Sequence, residues 1–114
     1  LSDIYLDPKG NIINVMNKID DISLIVITHG LLGLTKYIAT YWNEKNVRSN
    51  SLIIGTYKEN SYLKKDRDSL INQIPIGRFA NNDEFKAAIV FLASNASSYM
   101  TGSNLVINGG RTCW

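Results

Sequence analysis

Ser51-Leu-Ile-Ile-Gly55 is the stretch on which the architecture turns. Its apolar residues run consecutively instead of alternating, as in a strand covered on both faces, and the closing glycine supplies a turn. Leu105-Val-Ile107 repeats the pattern on a shorter scale, ahead of Gly109-Gly110. Between the two, Asp83 to Ser94 reads as an amphipathic helix with Phe85, Ala88, Ile89, Leu92 and Ala93 facing inward and Asn82 as its candidate cap. Upstream, Leu24, Ile27, Leu31, Leu34, Ile38, Tyr41 and Trp42 recur at spacings of three and four. That spacing predicts a long helix over 23–43, capped by Ser23, with the stripe turned to the core. Gly30 and Gly33 each cost such a helix about 1 kcal/mol relative to Ala, which points to close approach by another backbone. Helix, strand, helix, strand, with covered strands, is the order of an α/β fold built on parallel strands.

The rest of the chain is less regular. Tyr57 to Gln73 is polar and broken by charges, and predicts a loop with a short helix. The first 23 residues are expected to be the most irregular: a turn at Asp7-Pro-Lys-Gly10, a short strand through Ile12, Ile13 and Val15, and a loop at Asp20-Asp21.

Composition narrows the function. The 114 residues are 45% hydrophobic and 19% charged, the balance of one globular domain. Net charge is +2 with the basic residues scattered; the cluster Lys64, Lys65 and Arg67 is interrupted by Asp66 and Asp68. No nucleic-acid partner is expected from such a solvated face. A single cysteine, Cys113, cannot form an internal disulfide, so a reducing, cytoplasmic setting is the simplest expectation. No apolar run approaches the ~20 residues that cross a membrane, and no signal peptide is visible. The chain opens on Leu1 and reads as a piece of something longer.

The last forty residues carry a resemblance. Ile74-Pro-Ile-Gly-Arg-Phe79, Asn82-Asp-Glu84, Ile89-Val-Phe-Leu-Ala-Ser94, Ala96-Ser-Ser-Tyr-Met-Thr-Gly102 and Asn104-Leu-Val-Ile-Asn-Gly-Gly110 resemble, in order, the C-terminal signature of short-chain dehydrogenases/reductases. Gly33-Leu-Thr-Lys-Tyr37 and Asn46-Val-Arg-Ser-Asn50 resemble that family's preceding helix and strand entry. The resemblance covers residues 24–114 and leaves 1–23 poorly matched. It implies the C-terminal part of a Rossmann-like, doubly wound parallel sheet, incomplete in this chain. The ending Gly109-Gly-Arg-Thr-Cys-Trp114 is closest to members that modify sugar or polysaccharide precursors. Locally, Arg78 is expected to pair with Asp83 or Glu84, and Gly102 to make a tight turn.

The resemblance also implies NAD(P)-dependent chemistry, with Ser, Tyr and Lys at the reacting centre. No Gly-rich strand-to-helix turn of the kind that cradles a pyrophosphate is present, so this chain is expected to bind no cofactor. Matching Gly33-Leu-Thr-Lys-Tyr37 to the family helix puts Leu24 at the Tyr position and Thr28 at the Lys position. Leucine has no proton to transfer, and threonine is neutral and too short to replace lysine. The Ser position falls on Asp3 if Leu1-Ser-Asp-Ile-Tyr5 is the matching stretch. It falls on Met16 or Asn17 if Gly10-Asn-Ile-Ile-Asn-Val15 is, which leaves about seven residues before Leu24. The first register is preferred on length, and neither offers a serine. Tyr5 with Lys9 and Tyr41 with Lys45 match the Tyr-to-Lys spacing by chance, and His29 reads as a packed or surface residue. No His or Cys cluster suggests a metal.

Three roles are therefore weighed. One is a truncated, catalytically silent member of the oxidoreductase family, a pseudoenzyme by residue content. The second is an interaction subunit that self-associates or pairs with a homologous chain through helix 23–43 and the C-terminal segment. The third is a degenerate gene product.

Overall fold

Leu52, in the strand marked as covered, has no solvent exposure, and neither does Leu92 of the helix above it. The computed structural model describes residues 3–6, 11–17, 22–57 and 67–114. They form β1 (Asp3–Leu6), β2 (Asn11–Asn17), α1 (Ile22–Tyr41), β3 (Arg48–Ile54), α2 (Arg67–Asn72), α3 (Lys86–Ala93) and β4 (Asn104–Ile107). Short 3-10 turns occupy Asn43–Lys45, Asn82–Phe85 and Asn95–Ser97. The sheet order is β1-β2-β3-β4, with β2, β3 and β4 parallel and β1 antiparallel to β2.

Alternation along β3 assigns the two faces. Leu52 joins Ala88 and Leu92 in the core under α3, with Ile54, Met100, Leu105 and Ile107 packed against them. Ser49 and Ser51 point the other way, and Ser51 meets Thr35 of α1. Helices therefore cover both faces, as the apolar strand predicts. Arg48 secures the α3 face, donating to the carbonyls of Leu92 (2.8 Å), Ser94 (3.2 Å) and Met100 (3.0 Å). Asn50, which is buried, donates to the Met100 carbonyl at 2.9 Å and accepts from the Ser103 amide at 3.1 Å.

Several expectations need correction. The first 23 residues hold two strands, and the short strand foreseen at Ile12 to Val15 extends over Asn11–Asn17. β2 is stabilised there by partners on both edges, from Asn11 opposite Arg48 to Asn17 opposite Ile54 on one side. The predicted turn at 7–10 and loop at 20–21 lie outside the described residues. α1 begins at Ile22, so Ser23 lies inside it and is not its cap. Its inward face is Thr35, Ile38 and Ala39, whereas Ile27, Leu34, Tyr41 and Trp42 of the expected stripe are exposed. The helix is apolar nearly all round, so spacing could not choose the face; Thr35 turns inward to Ser51 of β3.

The helix foreseen over 83–94 divides into a 3-10 turn and α3, and the capping residue is Asn81, not Asn82. The Asn81 amide donates to Glu84 Oε2 at 2.8 Å, while the Glu84 amide donates to the Asn81 carbonyl at 3.0 Å. The inward residues are those expected: Phe85 of the 3-10 turn and Ala88 and Leu92 of α3 are buried, and Ile89 and Ala93 pack against the core.

Candidate functional site

In an open parallel sheet, ligands bind beyond the carboxyl ends of the strands. Here β3 and β4 finish together. Ile54 pairs with Ile107, and the Gly55 amide donates to the Ile107 carbonyl at 2.8 Å. A Cβ on Gly55 would stand 2.8 Å from Asn108 Cα, so glycine is what lets the two exits lie this close. Beyond β4, Gly109 and Gly110 adopt φ of 65° and 85° and turn the chain against Ile74 and Pro75. A small recess opens between these exits, walled by Gly55, Thr56, Ile74, Ile76, Arg78 and Asn108, among others.

The polar groups on that wall are engaged within the chain. Thr56 Oγ1 accepts from Arg111 Nη1 at 3.3 Å. Asn108 donates to Thr112 Oγ1 at 3.0 Å and accepts from the Gly110 amide at 3.1 Å. Arg78 grips Glu84 through two bonds of 2.8 and 2.7 Å, the pairing expected from sequence. That contact, first through the hydrogen bond and then through the Glu84 charge, raises the Arg78 pKa further above its ordinary value. Groups held this way wall a cleft, and none of them is a poised acid or base.

The positions matched to the family's reacting residues come from β1, β2 and α1. Leu24 and Thr28 are i and i+4 on the first turns of α1, on one face, and Thr28 does not line the recess. Thr28 is half-buried and His29 is exposed; each has an interaction partner within the chain. Asp3 opens β1 opposite Val15, on the antiparallel edge strand. Asn17 ends β2 opposite Ile54, at the carboxyl end of a parallel strand. The Asp3 register thus places its residue on the antiparallel edge strand, and the Asn17 register places its residue at the carboxyl end of a parallel one. The spacing Tyr41 to Lys45 crosses the end of α1, since Tyr41 is its last residue and Lys45 sits in a separate 3-10 turn. Tyr37 and Tyr41 are exposed and stacked on each other at 5.4 Å. Lys9 lies outside the described residues. Among the described residues no group of three or more His, Cys, Asp or Glu could hold a metal.

A dinucleotide needs a strand-to-helix turn where backbone can approach a phosphate. The described glycines do not make one. Gly30 and Gly33 lie within α1, and the tight approaches at Gly55, Gly109 and Gly110 are to this chain's own atoms. The residues described here do not fit the cofactor. The recess itself was missed by sequence reasoning, because its walls come from stretches up to 54 residues apart (Gly55 to Gly109). The glycines at its rim were the one signal pointing to it.

Comparison with known proteins bears on residues 18–112, which match a family model described as enoyl-(acyl carrier protein) reductase. The chain is 38% identical over 87 residues to D-threitol dehydrogenase of Mycolicibacterium smegmatis, covering 73% of this chain and 34% of that protein. It is 43% identical over 83 residues to trans-4-hydroxycyclohexanecarboxylate dehydrogenase of Sinomonas cyclohexanicum, covering 73% and 31%. Among solved structures, a short-chain type dehydrogenase/reductase from Mycobacterium marinum matches with a TM-score of 0.83 and 32% identity, covering 94% of this chain and 46% of that one. The 4-hydroxyisoleucine dehydrogenase complexed with NADH matches with a TM-score of 0.82 and 27% identity, covering 93% and 48%. The chain spans about a third of the length of these curated relatives and under half that of the solved chains.

Proposed function

The chain belongs to the short-chain dehydrogenase/reductase family, and on that premise we propose that residues 1–114 supply the carboxyl-terminal scaffold of an NAD(P)-dependent oxidoreductase fold without the residues for hydride transfer. The observation that carries this reading is the pair Leu24 and Thr28 on one face of α1, where the family places Tyr and Lys. The Ser position, in the register favoured by β2, falls on Asn17 or Met16, and neither side chain is a serine hydroxyl. The polyol and hydroxy-acid dehydrogenases among its relatives make an alcohol-to-carbonyl step on a sugar-like substrate the parent reaction we assign. The single cysteine fits a cytoplasmic setting, and no described helix is long and apolar enough to cross a membrane.

Titration of the purified chain with NADH and with NADPH, followed by fluorescence and calorimetry, tests the proposal. No binding and no reduction of polyol-derived ketones is the expected result; dissociation constants in the micromolar range would overturn it.

A second reading has its own support. α1 leaves Ile22, Val26, Ile27, Leu34, Tyr37 and Tyr41 exposed, and a Cβ on Gly30 or Gly33 would meet nothing within 4 Å. That face suits a second copy of this chain or a homologous one, and an interaction role rests on it.

A further inference from the structure

We propose that the C-terminal tail is a strap: Arg111 and Trp114 fasten the end of α2 to the carboxyl edge of the sheet and so hold the recess wall in its observed shape. Three segments distant in sequence converge on it. Arg111 Nη1 donates to Thr56 Oγ1 at 3.3 Å, just past β3, and Nη2 donates to Gln73 Oε1 at 3.1 Å, just past α2. Trp114 Nε1 donates to the Gln73 carbonyl at 3.0 Å. The two positive-φ glycines deliver this tail: a Cβ on Gly109 would meet Ile74 Cγ2 at 2.8 Å, and one on Gly110 would meet Pro75 Cγ at 3.0 Å. The tail folds on itself as it arrives, with the Arg111 amide bonded to the Asn108 carbonyl and the Cys113 amide to the Gly110 carbonyl.

The same geometry makes the strap releasable. Gln73 and Trp114 are exposed, and the buried Nε of Arg111 has no acceptor among the described residues. An unmet buried donor offsets part of what the two Nη bonds contribute. Thr56 lines the recess and Gln73 adjoins Ile74, which also lines it. Release of the tail therefore loosens the recess at two points while leaving the Leu52 and Leu92 core untouched.

Hydrogen–deuterium exchange on the full chain tests this. The amides of Gln73, Ile74 and Gly77, bonded to Leu70, Ile71 and Ile74, report the end of α2, and Ala80, bonded to the Thr56 carbonyl, reports the β3 exit. Arg111→Ala is expected to speed exchange at all of them roughly tenfold while the amides of 49–54 stay unchanged. Gln73→Ala, at an exposed site, should speed the α2 reporters and spare Ala80. Unchanged exchange at 73–77 in both variants overturns the strap, as does a rise spread equally over 49–54, which is general destabilisation. Should Arg111→Ala not fold, Gln73→Ala and Trp114→Phe, made separately, decide: no acceleration at 73–77 in either sinks the proposal.

Discussion

Thr35 of α1 and Ser51 of β3 meet hydroxyl to hydroxyl at 2.6 Å, both without solvent exposure. Thr35 has one hydroxyl proton and gives it to the Leu31 carbonyl at 2.8 Å, so Ser51 is the donor between the two. Thr35→Val keeps the shape and removes Ser51's acceptor, stranding a buried hydroxyl. The expected loss is about 1–3 kcal/mol in urea unfolding. Thr35→Val with Ser51→Ala should cost clearly less than the sum of the two single changes. Additive losses would show that the contact contributes nothing specific.

This contact also explains what the sequence could and could not disclose. Apolar runs at Leu52 to Ile54 and Leu105 to Ile107 announce covered parallel strands, because any side chain there must be apolar unless it finds a partner. The face of α1 was not legible, since Thr35 reads as polar until Ser51 is brought to it from sixteen residues away. β1 carries no turn or periodicity signal of its own and is defined by its register on β2. For the candidate site, Gly33-Leu-Thr-Lys-Tyr37 places Leu24 and Thr28 on one continuous helix, whereas the placing of the serine position depends on which of two strands closes the parallel sheet.

Arg48 bonds to three carbonyls at the end of α3 and the turn beyond it. Two nitrogens of a planar fork share these acceptors, Nη1 taking Met100 and Nη2 taking Leu92 and Ser94, whereas a lysine would bring a single nitrogen to all three. Arg48→Lys is expected to lower stability by about 1.5–3 kcal/mol with little change in the denaturant slope. A midpoint equal to that of the unaltered chain would contradict this account.

Arg78 and Lys86 have pKa values raised by hydrogen bonds to, and then the charges of, Glu84 and Asp83. A raised basic group contributes stability below its unfolded pKa and loses it as pH climbs through the folded one. For Lys86 that window opens near pH ~10.4. Both pairs are solvent-exposed, so their contribution is small and screened by salt. Thermal unfolding should therefore be flat from neutral pH to about 9 with respect to these groups. Lys86→Gln should change the melting temperature little, and any decline it removes should lie above pH ~10. A large neutral-pH loss in that variant would mean Lys86 has a role beyond Asp83.

If the exposed face of α1 is where copies meet, Val26→Glu with Tyr37→Glu should weaken association at least about tenfold in sedimentation velocity, since like charges brought together there are costly to desolvate. Both residues are exposed, so the fold should survive. Unchanged association would move the interface elsewhere, and a monomeric unaltered chain would remove it.

The catalytic register can be tested by restoring it. The upstream half of an active relative is joined ahead of this chain, and Asn17→Ser, Leu24→Tyr and Thr28→Lys are introduced together. Tyr and Lys would then stand one turn apart on α1, where the ammonium favours the ionised phenol and lowers its pKa. Serine at 17 would close β2 beside Ile54, at the carboxyl end of the sheet. Carbonyl reduction should appear in this triple variant and vanish when the tyrosine is returned to leucine. A parallel variant with Asp3→Ser in place of Asn17→Ser should remain at least about 100-fold slower, the usual scale of losing one positioned hydrogen-bond donor to the reacting oxygen. Because burying a lysine at the half-buried site of Thr28 carries a desolvation cost, stability is measured beside turnover. Activity in the Asp3 variant and not the Asn17 variant would return the serine position to β1. Silence in both, with the fold intact, would show that the six residues between Asn17 and Leu24 are too few to bring β2 and α1 into catalytic register.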